Sequence, residues 1–181
     1  MKIKLIQSLT FLFILPIFYF SQTDDYNKIT TVDSVDLNKY VGTWYEIAKI
    51  PNSFQDQCVK NTTATYKINN EGDIEVVNKC IDEKGEFDSA DGIARVVDKK
   101  SNSKLEVSFV SIFGWNIFWG DYWILGLDKN YKYAAIGTPS KKYGWILSRT
   151  PKLSKEEMEI CFSIFEKNGY SRKLFELDKQ E

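Results

Sequence analysis

Short runs of apolar or alternating residues recur along most of the chain and are separated by polar turn residues. Alternation of apolar and polar side chains is typical of a β-strand with one buried face. One separator, residues 69–73 with the sequence Asn-Asn-Glu-Gly-Asp, is typical of a hairpin turn. The eight runs cover residues 44–50, 62–68, 74–80, 87–97, 104–110, 122–127, 133–137 and 144–148. This pattern predicts an all-β fold, an eight-stranded up-and-down antiparallel β-barrel, with a two-sheet sandwich as the alternative.

The pattern changes to a helical period near the end of the chain. Ser154 and Glu157 have the spacing of a capping box, and Gly169 is typical of a helix end. The apolar positions that recur at helical spacing are Met158, Cys161, Phe162 and Phe165. We therefore expect one C-terminal α-helix packed on the outside of the barrel. A short final strand over residues 171–177 is expected beside the first strand.

The first residues of the chain have the pattern of a secretory signal peptide. Lys2 and Lys4 precede an apolar run over residues 5–20, and polar residues follow it. We predict a signal peptide over residues 1–21, an N-terminal extension over 22–34 and a barrel domain over 35–178. An uncleaved membrane anchor is the alternative, although the run is shorter than the roughly 20 residues that a span needs.

Composition narrows the chemistry. The length of 181 residues favours one compact domain, and the net charge of −1 gives no electrostatic reason to expect nucleic acid as a partner. Histidine is absent, so the commonest general base and the commonest metal ligand are missing. We expect no catalytic residue, no metal site and no cofactor.

The three cysteines fall into two groups. Cys58 precedes the second predicted strand and Cys80 ends the third, so the two lie almost opposite each other across the hairpin. Export to an oxidising compartment makes a Cys58–Cys80 disulfide the expected outcome. Cys161 lies on the apolar face of the predicted helix and is expected to be free and buried. A thiol-dependent enzyme is a weak alternative, because no base is evident beside either paired cysteine.

The most informative motif is the Gly-Thr-Trp-Tyr-Glu of residues 42–46, read together with Arg149. Glycine permits a tight, closely packed corner at Gly42, and a guanidinium can stack on the indole of Trp44. This pairing resembles the lipocalins, whose first strand begins with Gly-x-Trp and whose last barrel strand ends in an arginine that crosses the tryptophan. The resemblance implies that Gly42, Trp44 and Arg149 are structural residues.

The resemblance covers nearly all of the chain from residue 35 to residue 177, and the subgroup is that of the bacterial lipocalins and their apolipoprotein D-like relatives. The blocks that carry it are residues 35–37 with Tyr40, 42–48, 61–66, 121–125 and 147–151. The chain departs from this pattern in two ways. It has no lipid-attachment cysteine near the predicted cleavage region, and the stretch 112–119 is unusually aromatic.

Counting hairpins assigns the loops to the two ends of the barrel. If Trp44 closes the end where the first strand starts, the open end, here called the mouth, is formed by loops 51–61, 81–86, 111–121 and 138–143. The third of these loops carries the large apolar residues Ile112, Phe113, Trp115, Ile117, Phe118 and Trp119. A secreted protein rarely exposes so much apolar surface without a partner. We interpret the loop as a lid over a lipid or as a membrane-docking tip, with packing inside the barrel as the alternative.

Strand parity predicts which side chains face the interior. Trp145 and Leu147 share a face with Arg149 and are expected inside, whereas Glu46 is left open between the two faces. The predicted inner row of an earlier strand is Tyr122, Ile124 and Gly126, with Trp123 and Leu125 outside. The predicted ligand contacts are Phe54, Phe113, Trp115, Phe118, Trp119, Tyr122, Ile124, Trp145 and Leu147.

These observations lead to one functional prediction and its alternatives. We predict an exported lipocalin, periplasmic or secreted and open to association with the outer membrane, that binds a fatty acid, a lysophospholipid or a similar lipid in the barrel. The role would be lipid transport, storage or envelope maintenance. The alternative is a protein-interaction or membrane-docking module that uses the aromatic loop. We expect a monomer or a weak homodimer.

Overall fold

The structure is a computed structural model that describes residues 29–181. The predicted signal peptide and the first part of the N-terminal extension lie outside the described residues. The elements are helix α1 Leu37–Tyr40, strands β1 Gly42–Lys49, β2 Lys60–Ile68, β3 Ile74–Ile81, β4 Phe87–Val96, β5 Lys104–Ser108, β6 Val110–Ile112, β7 Trp115–Ile117, β8 Gly120–Leu127, β9 Tyr133–Gly137, β10 Gly144–Ser148, helix α2 Lys155–Lys167, a 3-10 turn Arg172–Leu174 and strand β11 Glu176–Leu177.

Eight strands close into an antiparallel barrel, which confirms the predicted fold. The order around the sheet is β10-β9-β8-β5-β4-β3-β2-β1, and β1 pairs back with β10 to complete the circle. Strands β6 and β7 form a separate two-stranded hairpin between β5 and β8. The third mouth loop is therefore an ordered hairpin rather than an irregular loop.

The barrel has an inner and an outer apolar cluster. Trp44, Ile124, Ile136 and Leu147 belong to the inner one. The outer cluster lies under helix α2 and includes Ile146, Cys161 and Phe165. The predicted capping box is present, because Ser154 accepts from the Glu157 amide while the Glu157 side chain accepts from the Ser154 amide. Among residues 29–181, no helix combines the length and hydropathy required to cross a membrane.

Two details of the predicted strands are wrong. A β-bulge between Ile124 and Gly126 breaks the alternation in β8, so Gly126 faces helix α2 instead of the interior. A Cβ at Gly126 would lie 2.4 Å from Cδ1 of Ile164, and only glycine allows the helix to pack this closely. The final strand does lie beside β1, but it has only two residues, because residues 172–174 form a 3-10 turn instead.

Candidate functional site

A cavity of about 500 Å³ occupies the interior between the mouth and the closed end. Its size falls in the range that holds small-molecule ligands. Apolar side chains of β3, β4 and β5 form much of the wall, among them Val76, Ala94 and Leu105. Loop residues from the mouth, including Phe54 and Tyr143, form the rim.

The closed end is built on Trp44, which has no exposed surface. The guanidinium of Arg149 lies 3.8 Å from the centre of the Trp44 ring. Four backbone carbonyls at distances of 2.8–2.9 Å accept hydrogen bonds from this guanidinium, those of Lys39, Tyr40, Val41 and Thr43. The Trp44 indole donates to the Tyr40 carbonyl at 2.8 Å. The guanidinium therefore stacks on the Trp44 ring and links helix α1 to the start of strand β1.

Three tyrosines form the floor of the cavity. The hydroxyl of Tyr122 lies 2.7 Å from that of Tyr40 and 3.0 Å from that of Tyr66. Burial raises the pKa of Tyr66 to about 12 and also raises the pKa of Tyr40 and Tyr122 above the ordinary value. The floor is thus polar but uncharged at neutral pH.

The structure brings six of the nine predicted ligand contacts to the cavity. These are Phe54, Phe118, Trp119, Tyr122, Trp145 and Leu147. Ile124 faces inward but is fully buried in the inner cluster, one layer below Tyr122. Phe113 and Trp115 do not line the cavity, because the β6–β7 hairpin turns them into solvent. Direct contact of any of the nine with a ligand stays a prediction.

The Trp119 ring is covered on one face by the guanidinium of Arg95, which lies 4.0 Å from the ring centre. Its indole donates to the Asn116 carbonyl at 3.2 Å. In contrast, Phe113 is 97% exposed, Trp115 77% and Phe118 81%. The exposed aromatic surface of the hairpin is therefore made by these three residues rather than by Trp119.

A buried polar cluster near the mouth is absent from the sequence prediction. Glu46 lines the cavity, and its carboxylate accepts hydrogen bonds from the Lys49 ammonium and the Gln55 amide, both at 3.0 Å. Gln55 also accepts from the Trp145 indole at 3.0 Å. Burial raises the pKa of the Glu46 carboxyl, while Lys49 and Gln55 partly offset this effect. A bulge in β1 between Glu46 and Ala48 lets the side chains of Glu46 and Lys49 meet, which simple alternation would prevent.

The cysteines are arranged as expected. Cys58 and Cys80 form a disulfide and both border the cavity. Cys161 is free and fully buried, and burial raises the pKa of its thiol to about 12. Within the described part of the chain, no group of three or more acidic or cysteine side chains is arranged to hold a metal ion.

Comparison with known proteins identifies the family. The family model of the Lipocalin-like domain matches residues 35–180. The chain belongs to the lipocalin family. Over 145 residues this lipocalin is 35% identical to the outer membrane lipoprotein Blc of Vibrio cholerae, a match that covers 79% of this chain and 81% of that protein. It is 31% identical to apolipoprotein D of Macaca fascicularis, with 82% and 79% of the two chains covered.

These relatives place the lipocalin in the subgroup of Blc and apolipoprotein D. Among solved structures, insecticyanin from the tobacco hornworm Manduca sexta superposes with a TM-score of 0.67. The match covers 84% of each chain at 24% identity, so it supports the barrel fold alone. Family membership supports the binding of a small hydrophobic ligand.

Proposed function

We propose that this lipocalin binds a lipid with a single acyl chain, a fatty acid or a lysophospholipid, inside the barrel. The observation that carries the proposal is the cavity of about 500 Å³, open at the mouth and closed by Trp44. Similarity to an outer membrane lipoprotein and to an apolipoprotein supports a role in lipid transport, storage or envelope maintenance. The predicted signal peptide supports export, and the Blc relatives support a place at the outer membrane.

The shape and chemistry of the cavity suit an acyl chain. Each buried methylene contributes about 0.8 kcal/mol, so a chain that fills the space between Val76, Leu105 and Leu147 offsets the cost of ordering it. Near the rim, Trp145 and Phe54 present aromatic surface, with ring centres 6.4 Å apart. Catalysis has no comparable support, because the free thiol is buried and neutral.

The cargo can be identified directly. Native mass spectrometry of the purified protein, followed by organic extraction, should release one class of single-chain lipid. Titration with bromine-labelled stearic acid should quench the fluorescence of Trp145, which lines the cavity. Trp145→Phe should lose part of this quenching, and Trp145→Phe combined with Trp119→Phe should lose most of it, because both tryptophans line the cavity. Trp123→Phe is the matched control and should keep it, because Trp123 lies outside the barrel against Lys104.

Two results would contradict this proposal. An empty protein that is not quenched by fatty acids or lysophospholipids would show that the cavity does not take acyl chains. Equal quenching in the wild type and in a variant that carries both Trp145→Phe and Trp119→Phe would place the labelled lipid outside the barrel.

We also propose that the mouth contacts a lipid membrane through the β6–β7 hairpin. Phe113, Trp115 and Phe118 are strongly exposed there, and Phe87 at the start of β4 is 85% exposed beside another mouth loop. Aromatic side chains at the membrane interface stabilise peripheral binding. Such docking would bring the opening of the barrel to the source of its ligand.

Vesicle binding tests this second proposal. Replacement of Phe113 and Trp115 together by serine should weaken co-sedimentation with phospholipid vesicles at least tenfold, which corresponds to about 1.4 kcal/mol. Ile160→Ser removes a half-exposed apolar side chain from helix α2 and serves as the matched control. Equal binding of the wild type and both variants would show that the hairpin does not contact the membrane, and would favour a protein partner for it.

A further inference from the structure

The barrel wall between β1 and β2 is not a continuous β-ladder. Starting from the closed end, the two strands pair from Gly42 with Tyr66 as far as Tyr45 with Thr63. Nearer the mouth, β1 pairs instead with the two-residue strand β11. An antiparallel pairing that stops leaves backbone groups of both strands in need of other partners. The two strands therefore leave a gap between them at the mouth end of the wall.

The two strands separate where β2 is irregular. The φ of Asn61 is +56°, in the left-handed region that asparagine adopts more readily than most residues. The register between β2 and β3 also shifts between Lys60 and Thr63. An irregularity of this kind bends a strand. The mouth end of β2 can therefore turn away from β1 while it stays beside β3.

Residues 176–181, here called the strap, occupy the gap between the two strands. The Asp178 amide donates to the Ile47 carbonyl of β1 at 2.9 Å. The Asn61 amide of β2 donates to the Lys179 carbonyl at 2.8 Å. The strap is therefore bonded to β1 on one side and to β2 on the other.

The side chain of Gln180 takes the place of the next direct pair between β1 and β2. Its amide nitrogen donates to the Glu46 carbonyl at 2.7 Å and to the Thr62 carbonyl at 2.9 Å. Glu46 and Thr62 both line the cavity. The strap thus completes the wall at the level of the ligand cavity, and one carboxamide links the two strands there.

The strap is held mainly by polar contacts near the surface. Leu177 is 74% exposed, so it adds little buried apolar area. Glu181 forms ion pairs with Lys60 and Lys179, and these three side chains are 32–66% exposed. Exposed ion pairs contribute little stability, and segments with few apolar contacts open more easily than core strands. We therefore expect the strap to detach while the rest of the barrel stays folded.

Both strands that border the strap are held by their other neighbours. Strand β1 pairs with β10 as far as Lys49 with Trp145. The mouth end of β2 is held to β3 by the pair of Lys60 with Ile81, and the disulfide joins the residues beside it. Detachment of the strap would therefore leave a slot in an otherwise intact wall.

We infer that the strap is a side gate between β1 and β2, and that its detachment sets the rate at which a lipid enters and leaves the barrel. A strand occupies about 4.8 Å of a sheet, so its removal leaves a slot wide enough for a single acyl chain. The inference rests on the proposed binding of an acyl lipid, and it adds a route and a control of rate to that binding.

Ligand exchange rates test the gate. Stopped-flow fluorescence follows the release of bromine-labelled stearic acid into excess unlabelled stearic acid, because the cavity tryptophans Trp119 and Trp145 then lose their quencher. Gln180→Leu removes both bonds of the carboxamide and should speed dissociation roughly tenfold. Association should accelerate similarly, so that Kd changes less than about threefold. Glu181→Gln, which removes only exposed ion pairs, should speed dissociation about twofold.

A second measurement needs no ligand and no variant. In the wild type, the amides of Asn61 and Asp178 are bonded across the strap, whereas those of residues 64–66 lie in the regular part of β2. Hydrogen exchange should be at least about ten times faster at the two strap amides. Gln57→Leu is the matched control for Gln180→Leu, because it removes a side-chain bond to Asp88 elsewhere at the mouth. Its dissociation rate should stay within about twofold of the wild type.

Three results would overturn the gate. Faster dissociation of Gln180→Leu with unchanged association would mean that Gln180 supports the bound ligand instead of controlling its passage. Equal acceleration in Gln57→Leu would indicate a general loosening of the mouth. Strap amides that exchange as slowly as those of residues 64–66 would make the strap a permanent part of the wall. Failure of the label to bind the wild type would instead contradict the proposed function, and lipid exchange through the strap with it, whatever the hydrogen exchange shows.

Discussion

The closed end and the mouth of the barrel differ in how completely their polar groups are hydrogen-bonded and their aromatic rings are buried. At the closed end, the Arg149 guanidinium donates to four carbonyls and covers Trp44, which has no exposed surface. At the mouth, Phe113 and Trp115 extend into solvent, and the nearby cavity wall holds unpaired atoms of Thr62 and Asn78. Contacts within the chain therefore satisfy the polar and aromatic groups of the closed end, whereas those of the mouth are left partly without contacts.

This difference separates the residues that stabilise the fold from those that are available for binding. Large exposed apolar patches are unfavourable in isolation, and in soluble proteins they mark surfaces that contact a partner, a membrane or a ligand. Residues at the closed end should therefore affect the free energy of unfolding. Residues at the mouth should affect ligand or membrane binding, with the disulfide as the main exception.

The largest expected loss of stability comes from removal of the disulfide, which links the mouth loop before β2 to the end of β3. Replacing Cys58 and Cys80 by alanine should lower the free energy of unfolding by about 3 kcal/mol, because the bridge closes a loop of 22 residues in the unfolded chain. Urea unfolding measures the loss. Reductant should destabilise the wild type by a similar amount and leave the double variant unchanged; an equal effect of reductant on both proteins would contradict the prediction.

Arg149 tests the closed end. Arg149→Ala should lower the free energy of unfolding by about 2–3 kcal/mol, because a cation–π contact and four hydrogen bonds are lost together. Ligand affinity, measured by displacement of a labelled fatty acid, should change less than twofold, roughly 0.4 kcal/mol.

Arg95 offers a matched control, since its guanidinium also covers a tryptophan, Trp119, at 4.0 Å. Arg95 is half-exposed and is paired with Glu106, so Arg95→Ala should cost less than about 1 kcal/mol. Equal losses for the two arginine variants would show that the closed end is not the special element of stability that its contacts indicate.

The closed end could be predicted from the sequence, and the polar part of the cavity could not. The residue types of Gly42, Trp44 and Arg149 predict a tight corner in which a guanidinium stacks on an indole, and the structure has this stacking. The alternation of apolar and polar residues was sufficient to locate all eight barrel strands. Gly42 shows why: its φ of +96° is unfavourable for other residues, and a Cβ there would lie 3.3 Å from Arg149.

Bulges explain most of what the sequence left undetermined. A bulge changes which face a residue occupies without changing the residue types, so the contact between Glu46 and Lys49 and the outward position of Gly126 could not be read from alternation. The unpaired state of Thr62 and Asn78 depends on the positions of all surrounding groups, and no local pattern encodes it.

The charge of Glu46 gives a smaller, pH-dependent effect. Burial raises the pKa of its carboxyl in the folded protein above the ordinary value of 4.5. Its contribution to stability is therefore fully present below pH 4.5 and is lost as the pH rises through the folded-state pKa. The free energy of unfolding of the wild type, relative to Glu46→Gln, should decrease from acid to neutral pH. Urea unfolding at several pH values checks this, and a difference that increases with pH would contradict the assignment.

The smallest expected change in stability is at the aromatic hairpin. Replacing Phe113 and Trp115 by serine should alter the free energy of unfolding by no more than about 0.5 kcal/mol, because both side chains are already in solvent. Thermal unfolding of the double variant measures this. A loss well above about 1 kcal/mol would mean that these rings pack against the barrel in solution. Their exposure would then no longer mark a binding surface, and the contrast between the two ends would rest on Thr62 and Asn78 alone.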